Sequence, residues 1–273
     1  RIVDQWAKVE GDSGLEATFV EDTGMEILFD QGDGSFLDSG PLVLAAGDHF
    51  DYSSIAAADM NGDGFVDLVG FHSPGGIAPS LGILYGTGAP HGWCGAPVTF
   101  APTSGFVQGV AVGDLDGNGL LDVVAIGDLV APSPSIASWT QGPPGSLTPH
   151  ASLPVPFFGL GQLEVHDMTG DGQDDVVFHY GSQVVLFTSA GGTLAPFQVL
   201  PGLNGGARFA DVDQDGLVDV VQQTPPLPYG VQALLAHADG SLSTPVKTLH
   251  TAPPLRTGDF DEDGQVDLWS TEA

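Results

Sequence analysis

Five nonapeptides in this chain place oxygen-bearing side chains at one set of positions: Asp59–Asp67, Asp114–Asp122, Asp167–Asp175, Asp211–Asp219 and Asp259–Asp267. Position 1 is Asp in every copy, at Asp59, Asp114, Asp167, Asp211 and Asp259. Position 3 is Asn61, Asp116, Thr169, Asp213 and Asp261; position 5 is Asp63, Asn118, Asp171, Asp215 and Asp263. Position 9 is Asp again, at Asp67, Asp122, Asp175, Asp219 and Asp267. Glycine at position 6 allows a sharp turn, and position 7 (Phe65, Leu120, Gln173, Leu217, Gln265) can contribute its backbone carbonyl. Several carboxylates in one tight turn repel one another unless a cation joins them. A hard ion taking roughly six to eight oxygens suits this set, which points to calcium. Magnesium would keep more of its water, and softer metals would ask for His or Cys. His166 adjoins one loop but lies outside it. A solvated Asp-Gly turn is the alternative for any one stretch, and five copies in the same strand context read as about five structural calcium sites. A salt-adapted surface is the alternative source of the acidity.

The loops recur 44 to 55 residues apart, a spacing of one supersecondary unit. An alternating apolar run precedes each, as in Val110-Ala-Val112, and a β-branched run follows, as in Asp122-Val-Val-Ala-Ile126. Both read as strands. A second pair of runs then crosses a glycine turn, such as Gly32-Asp-Gly34 or Asp239-Gly240, and reads as a hairpin. Four short antiparallel strands per repeat make the fold all-β, a β-propeller with acidic loops between strands. An EF-hand is rejected: its position-12 Glu is replaced by Gly70, Ala125, Phe178, Gln222 and Ser270, and the exit segments are strand-like. Lys8–Glu16 aligns as an eroded copy with Lys in place of the first ligand. Residues 1–273 read as a single propeller domain, with five blades preferred. In that arrangement the strands around Asp259 to Trp269 pair with the N-terminal hairpin near Met25 to Leu44. The rival has six blades, the last lacking a hairpin and open to strands from another chain.

The loops between strands, with Gly32-Asp-Gly34-Ser35-Phe36 in a hairpin, resemble FG-GAP/VCBS repeats over roughly residues 25–270. That family includes the calcium-bearing blades of integrin α-subunit propellers and many secreted bacterial proteins. The resemblance implies a β-propeller with calcium in the loops joining neighbouring strands of a blade. It implies adhesion, carbohydrate binding or surface assembly more often than catalysis. The chain departs from the pattern at Thr169, at Asn118 and in the eroded N-terminal copy.

Composition narrows the function. With 5 Lys plus Arg against 35 Asp plus Glu, the formal charge is −30, and direct binding to a phosphate backbone is excluded. A hydrophobic content of 42% with a mean hydropathy of +0.14 argues for a buried core, not an acidic disordered tail. The 40 glycines and 21 prolines leave little room for helix. No apolar run reaches the roughly 20 residues of a membrane helix. The single cysteine, Cys94, reads as an inert thiol. The chain opens at Arg1 without a basic and apolar leader run, which reads as a processed or truncated product, and the expected location is extracellular or cell-surface.

Catalytic signatures are lacking. Gly11-Asp-Ser-Gly14 is followed by Leu15 and has too little chain before it for a protease triad. No nucleophile elbow or zinc-binding helix motif occurs, and the eight histidines are dispersed. Trp93, Trp139, Tyr229 and His91 lie in or beside Gly- and Pro-rich segments where a propeller builds its faces, although packing is the preferred reading of each. The expected function is a non-enzymatic, calcium-stabilised adhesion or ligand-binding module for protein or carbohydrate. A structural protomer of an extracellular polymer, assembling through an incomplete blade, is the alternative. A polysaccharide lyase-type enzyme stands last.

Overall fold

The computed structural model describes residues 2–7, 16–21, 24–30, 36–41, 49–73, 80–86, 98–103, 105–129, 134–156, 161–181, 183–196, 198–200, 203, 207–224, 229–237, 242–243, 246–258 and 267–271. Among them every regular element is a strand. The chain forms two compact units, Arg1–Asp114 with Asn118–Phe158, and Leu115–Gly117 with Gly159–Ala273.

The first unit holds three antiparallel sheets, each in chain order. One is β1 (Ile2–Ala7), β2 (Glu16–Glu21), β3 (Gly24–Asp30) and β4 (Phe36–Pro41). The next is β5 (His49–Ala58), β6 (Asp67–Ser73), β7 (Ser80–Leu84) and β8 (Val98–Pro102). The third is β9 (Val107–Gly113), β10 (Asp122–Gly127), β11 (Ser135–Gln141) and β12 (Leu147–Pro149), with β13 (Leu153–Pro154) also pairing with β11. In the second unit, β14 (Gly161–His166), β15 (Asp175–Tyr180) and β16 (Gln183–Phe187) are followed by a small hairpin of β17 (Ser189–Ala190) and β18 (Thr193–Leu194). β19 (Gln198–Val199) then completes their sheet. The last sheet is β20 (Arg208–Ala210), β21 (Asp219–Thr224), β22 (Tyr229–Leu234), β23 (Val246–Gly258) and β24 (Asp267–Thr271). Four-stranded antiparallel sheets in chain order are what propeller blades are made of.

One register recurs at every acidic loop. Position 9 opens the second strand opposite the last residue of the first: Ala58↔Asp67, Gly113↔Asp122, His166↔Asp175, Ala210↔Asp219 and Gly258↔Asp267. The eroded N-terminal copy keeps it at Ala7↔Glu16. That copy therefore still turns one strand into the next, and it changes how the chain ends are used. The pairing expected between the C-terminal strands and the N-terminal hairpin is not the one found: β3 and β4 form a sheet with β1 and β2. β24 pairs instead with β23, whose 13 residues serve β22 along Val246–Thr251 and β24 along Ala252–Gly258.

The second and third strands carry the core. All six residues of β10 and all seven of β11 are buried, so both faces of these strands are covered. This is why Asp122-Val-Val-Ala-Ile126 reads as an unbroken apolar run and not as an alternation. Met60, Val69, Ile83, Val123 and Ala125 pack together in the first unit, and Met168, Val177, Leu186, Val220 and Leu234 in the second. Position 2 of three acidic loops (Met60, Leu115, Met168) is among these buried residues, so an apolar side chain anchors each turn from below. Phe178 is fully buried, and its ring lies where a Cβ on Gly161 would stand, so glycine is required at that strand start. Phe178→Ala is expected to cost about 3–5 kcal/mol in chemical denaturation. A loss under about 1 kcal/mol would mean that the ring is not close-packed.

Candidate metal centres

Each described loop is held by its own carboxylates in the same way. The position-1 carboxylate accepts the N–H of position 5 from Asp63 (3.2 Å), Asn118 (3.0 Å), Asp171 (3.2 Å) and Asp215 (3.2 Å). It also accepts the N–H of position 6 from Gly64 (2.8 Å), Gly119 (2.8 Å), Gly172 (2.9 Å) and Gly216 (2.9 Å). The position-5 side chain in turn accepts the N–H of position 7 from Phe65 (2.9 Å), Leu120 (2.7 Å), Gln173 (2.9 Å) and Leu217 (2.9 Å). The turn winds through left-handed backbone at positions 4 and 6, as at Gly62 (φ 74°) and Gly64 (φ 89°). Gln214 takes position 4 of the fourth loop at φ 63°, the one non-glycine residue with positive φ among those described.

Position 9 does something else. Asp67, Asp122, Asp175 and Asp219 are wholly buried. One oxygen accepts the N–H of position 2, from Met60 (2.9 Å), Met168 (3.2 Å) and Val212 (2.9 Å). The other accepts an N–H at or just past the end of the third strand, from Gly86 (2.8 Å), Gln141 (2.6 Å), Ser189 (2.8 Å) and Ala236 (2.7 Å). The position-9 carboxylate thus fastens the loop to a strand 14 to 19 residues further along the chain. Burial raises Asp67 to about 6 against the N–H bonds of Gly86 and Met60, with Asp63 and Asp59 adding like charge. Burial likewise raises Asp175 to about 6 against the N–H bonds it accepts, with Asp171 adding like charge.

The donor set fits a hard cation. In the second loop carboxylate oxygens of Asp114, Asp116 and Asp122 lie within 4.8 Å of one another, and in the fourth those of Asp211, Asp213 and Asp215 do. Asp213 is held above the usual aspartate range by desolvation and by the like charges of Asp219, Asp215 and Asp211. An oxygen that accepts one N–H keeps a second lone pair for a metal. In the first loop the Asn61 amide donates to Asp63 (2.9 Å), and in the second the Asn118 amide donates to the Gln141 carbonyl (2.8 Å), which aims Oδ1 back into the turn. Asp259, Asp261, Asp263 and Gln265 lie outside the described residues, as do Trp93, His91 and Cys94; Asp267 begins β24. Trp139 is packed into the core with its ring edge-to-face against Phe100.

A carboxylate cluster of another kind went unseen in the sequence. Glu164 lies on β14 with one oxygen 3.1 Å from His166 Nε2 and the other 3.3 Å from His179 Nε2. Phe209 stacks on His166 and meets His179 edge-on. Burial raises the Glu164 pKa, but the two imidazoles outweigh it and bring it down to about 2. The two-residue step from 164 to 166 was legible; the arrival of His179 from β15 needed the strand register.

Two of the loops fall within a segment that has known relatives. Residues 167–222 match the FG-GAP-like repeat family. The FG-GAP-like match runs from the start of the third loop into β21 and takes in the whole fourth loop. No curated protein matches the chain in sequence. A solved Agrocybe aegerita lectin, described for its specific recognition of non-reducing terminal N-acetylglucosamine, superposes with a TM-score of 0.68 at 18% identity. The likeness covers 97% of this chain and 73% of the lectin. The Photorhabdus luminescens Tc holotoxin pore superposes with a TM-score of 0.54 at 18% identity, over 96% of this chain and 13% of that one. Both neighbours are β-propeller-like, and at that identity the likeness is one of fold. No helix among the described residues is long and apolar enough to cross a membrane.

Two expectations separate the roles of the loop carboxylates in chelator-treated protein. Asp219→Ala strands two backbone N–H groups, each costing about 1–3 kcal/mol, whereas Asp213→Ala leaves the melting temperature nearly unchanged. Equal losses would contradict the division between fastening and exposed positions. Because Asp67 and Asp175 are raised to about 6, their ionisation costs stability, and the cost disappears as pH falls through 6 toward the unfolded value. Glu164, lowered to about 2, contributes stability that is lost only below its ordinary 4.5. Metal-free protein is therefore expected to melt higher at pH about 5 than at pH about 7.5, and a lower melting point at the acid end would contradict the assignment.

Proposed function

We propose that the chain is a calcium-stabilised β-propeller acting as a secreted or cell-surface binding module, without catalytic activity. The observation that carries this reading is the recurrence, in four described loops, of one oxygen cradle with one hydrogen-bond pattern. In each, the side chains of positions 1, 3, 5 and 9 with the position-7 carbonyl are the ligands for one ion, and Asp259–Asp267 supplies a fifth site. Bound calcium would offset the carboxylate repulsion and tie the loop to its strands. Three four-stranded and two five-stranded antiparallel sheets, each with its strands in chain order, support blade-like repeats. A protein or carbohydrate ligand at a propeller face is the partner.

The test is a calorimetric calcium titration of chelated protein, with melting followed alongside. At free calcium about 100-fold above the dissociation constant, one site contributes about 2.7 kcal/mol. At about 2–4 °C per kcal/mol for a chain of this size, chelation of a single loop lowers the melting temperature by roughly 5–10 °C. Unchanged melting after complete metal removal would sink the structural role, and a glycan array probed in calcium tests the ligand class.

A further inference from the structure

The first unit contains a partly open cavity of about 240 Å³ between β8 and β11. Phe100, Leu129, Ala137 and Trp139 give it an apolar wall, and its polar side chains are His150 and Ser152, from the connection between β12 and β13. The wall is set by strand geometry. Ala137 and Trp139 are two apart on β11 and share a face, and Pro149, paired with Trp139, closes the same side. The rings are held before any ligand arrives: Phe100 and Trp139 meet edge-to-face with centroids 5.6 Å apart. Thr140 Oγ1 lies 2.9 Å from His150 Nε2 and fixes the imidazole.

We propose that this cavity binds one uncharged aromatic ring bearing a single polar substituent, of the phenol type. The ring lies against Trp139 and Phe100, with its hydroxyl toward His150 and Ser152. Size, charge and polarity each narrow the ligand. Pockets for drug-sized ligands run roughly 300–1,000 Å³, so this one takes a single ring. Among the described residues no carboxylate lines it, although the chain carries 35 acidic residues and a formal charge of −30. A cation finds no counter-charge there, and an anion must approach against the net charge. A monosaccharide of similar size carries hydroxyls around its whole rim, and two polar side chains would leave most of them unpaired once buried. An arene buries its faces and edges against the aromatic wall and needs one polar partner.

The proposal gives a ligand class to the binding-module reading and rests on it. The test is a calorimetric titration of the full chain, in calcium, with p-cresol, followed also by Trp fluorescence. One-site saturation is expected, with affinity lowered at least about tenfold by Ala137→Leu, which fills the cavity, and by Ser152→Trp, which covers its partly exposed rim. Ser152→Trp carries the test if Ala137→Leu does not fold. A parallel titration with N-acetyl-tyrosinamide identifies the source of the ring: equal affinity assigns a tyrosine side chain of a protein ligand, and exclusion assigns a free phenol. The proposal is overturned by absence of saturation at millimolar p-cresol, by unchanged affinity in the folded variants, or by saturable binding of methyl α-glucoside that the same variants abolish. The chelator melting experiment is read separately, so loss of the cavity proposal leaves the calcium-stabilised module standing.

Discussion

The structure depends on a carboxylate that is buried in order to be useful. At the head of their second strands, Asp67, Asp175 and Asp219 each take an N–H from their own loop on one oxygen and, on the other, an N–H at or just past the end of the third strand. Neither asparagine nor leucine can do this: asparagine has one carbonyl oxygen, and leucine would leave two buried donors unpaired. The cost is visible in Asp67 and Asp175, whose burial pushes their pKa values up to about 6 even though the backbone N–H groups pull the other way. The gain is cooperativity within a sheet. The turn cannot open without releasing the third strand, so the loop is set by the sheet and not only by its own residues.

That arrangement bears on what a cation has to do. The position-1 carboxylate already gathers the turn's N–H groups, and position 5 already holds the N–H of position 7. A metal entering such a loop finds its oxygens converged, within 4.8 Å in the second and fourth loops, and ordering costs on binding are small. What remains unfavourable is charge, as the raised Asp213 illustrates. A divalent ion would therefore act on repulsion between fixed groups more than on shape, which is a smaller task than folding a disordered loop and one suited to a structural ion.

Much of this was legible in the residues. The five loops, their oxygens and the strands on either side follow from composition and period, because both the turn and the apolar runs are local. The eroded copy at Lys8–Glu16 was legible for the same reason, since strand register tolerates loss of ligands: Glu16 still stands opposite Ala7. The use of the chain ends was not. Whether β24 joins the N-terminal hairpin or extends β23 depends on a 13-residue strand with two partners, and local pattern is silent about partners. The second task of position 9 was hidden too, because Gly86 and Asp67 are 19 residues apart and nothing in either marks a hydrogen bond between them.

The contrast between Glu164 and the loop aspartates shows why counting acids in a sequence misjudges chemistry. Glu164 is as rich in nearby ligand-type groups as any loop, with two imidazoles at 3.1 and 3.3 Å. Yet its two oxygens are divided, one to each ring, and Phe209 packs against both imidazoles. The carboxylate is a tie between β14 and β15, its pKa held down to about 2 by the two imidazoles. In the second and fourth loops the carboxylate oxygens instead converge on one another, within 4.8 Å. Calcium bound in the acidic turns, as proposed, would bring the offsetting charge from solution, which suits a chain with only five Lys and Arg.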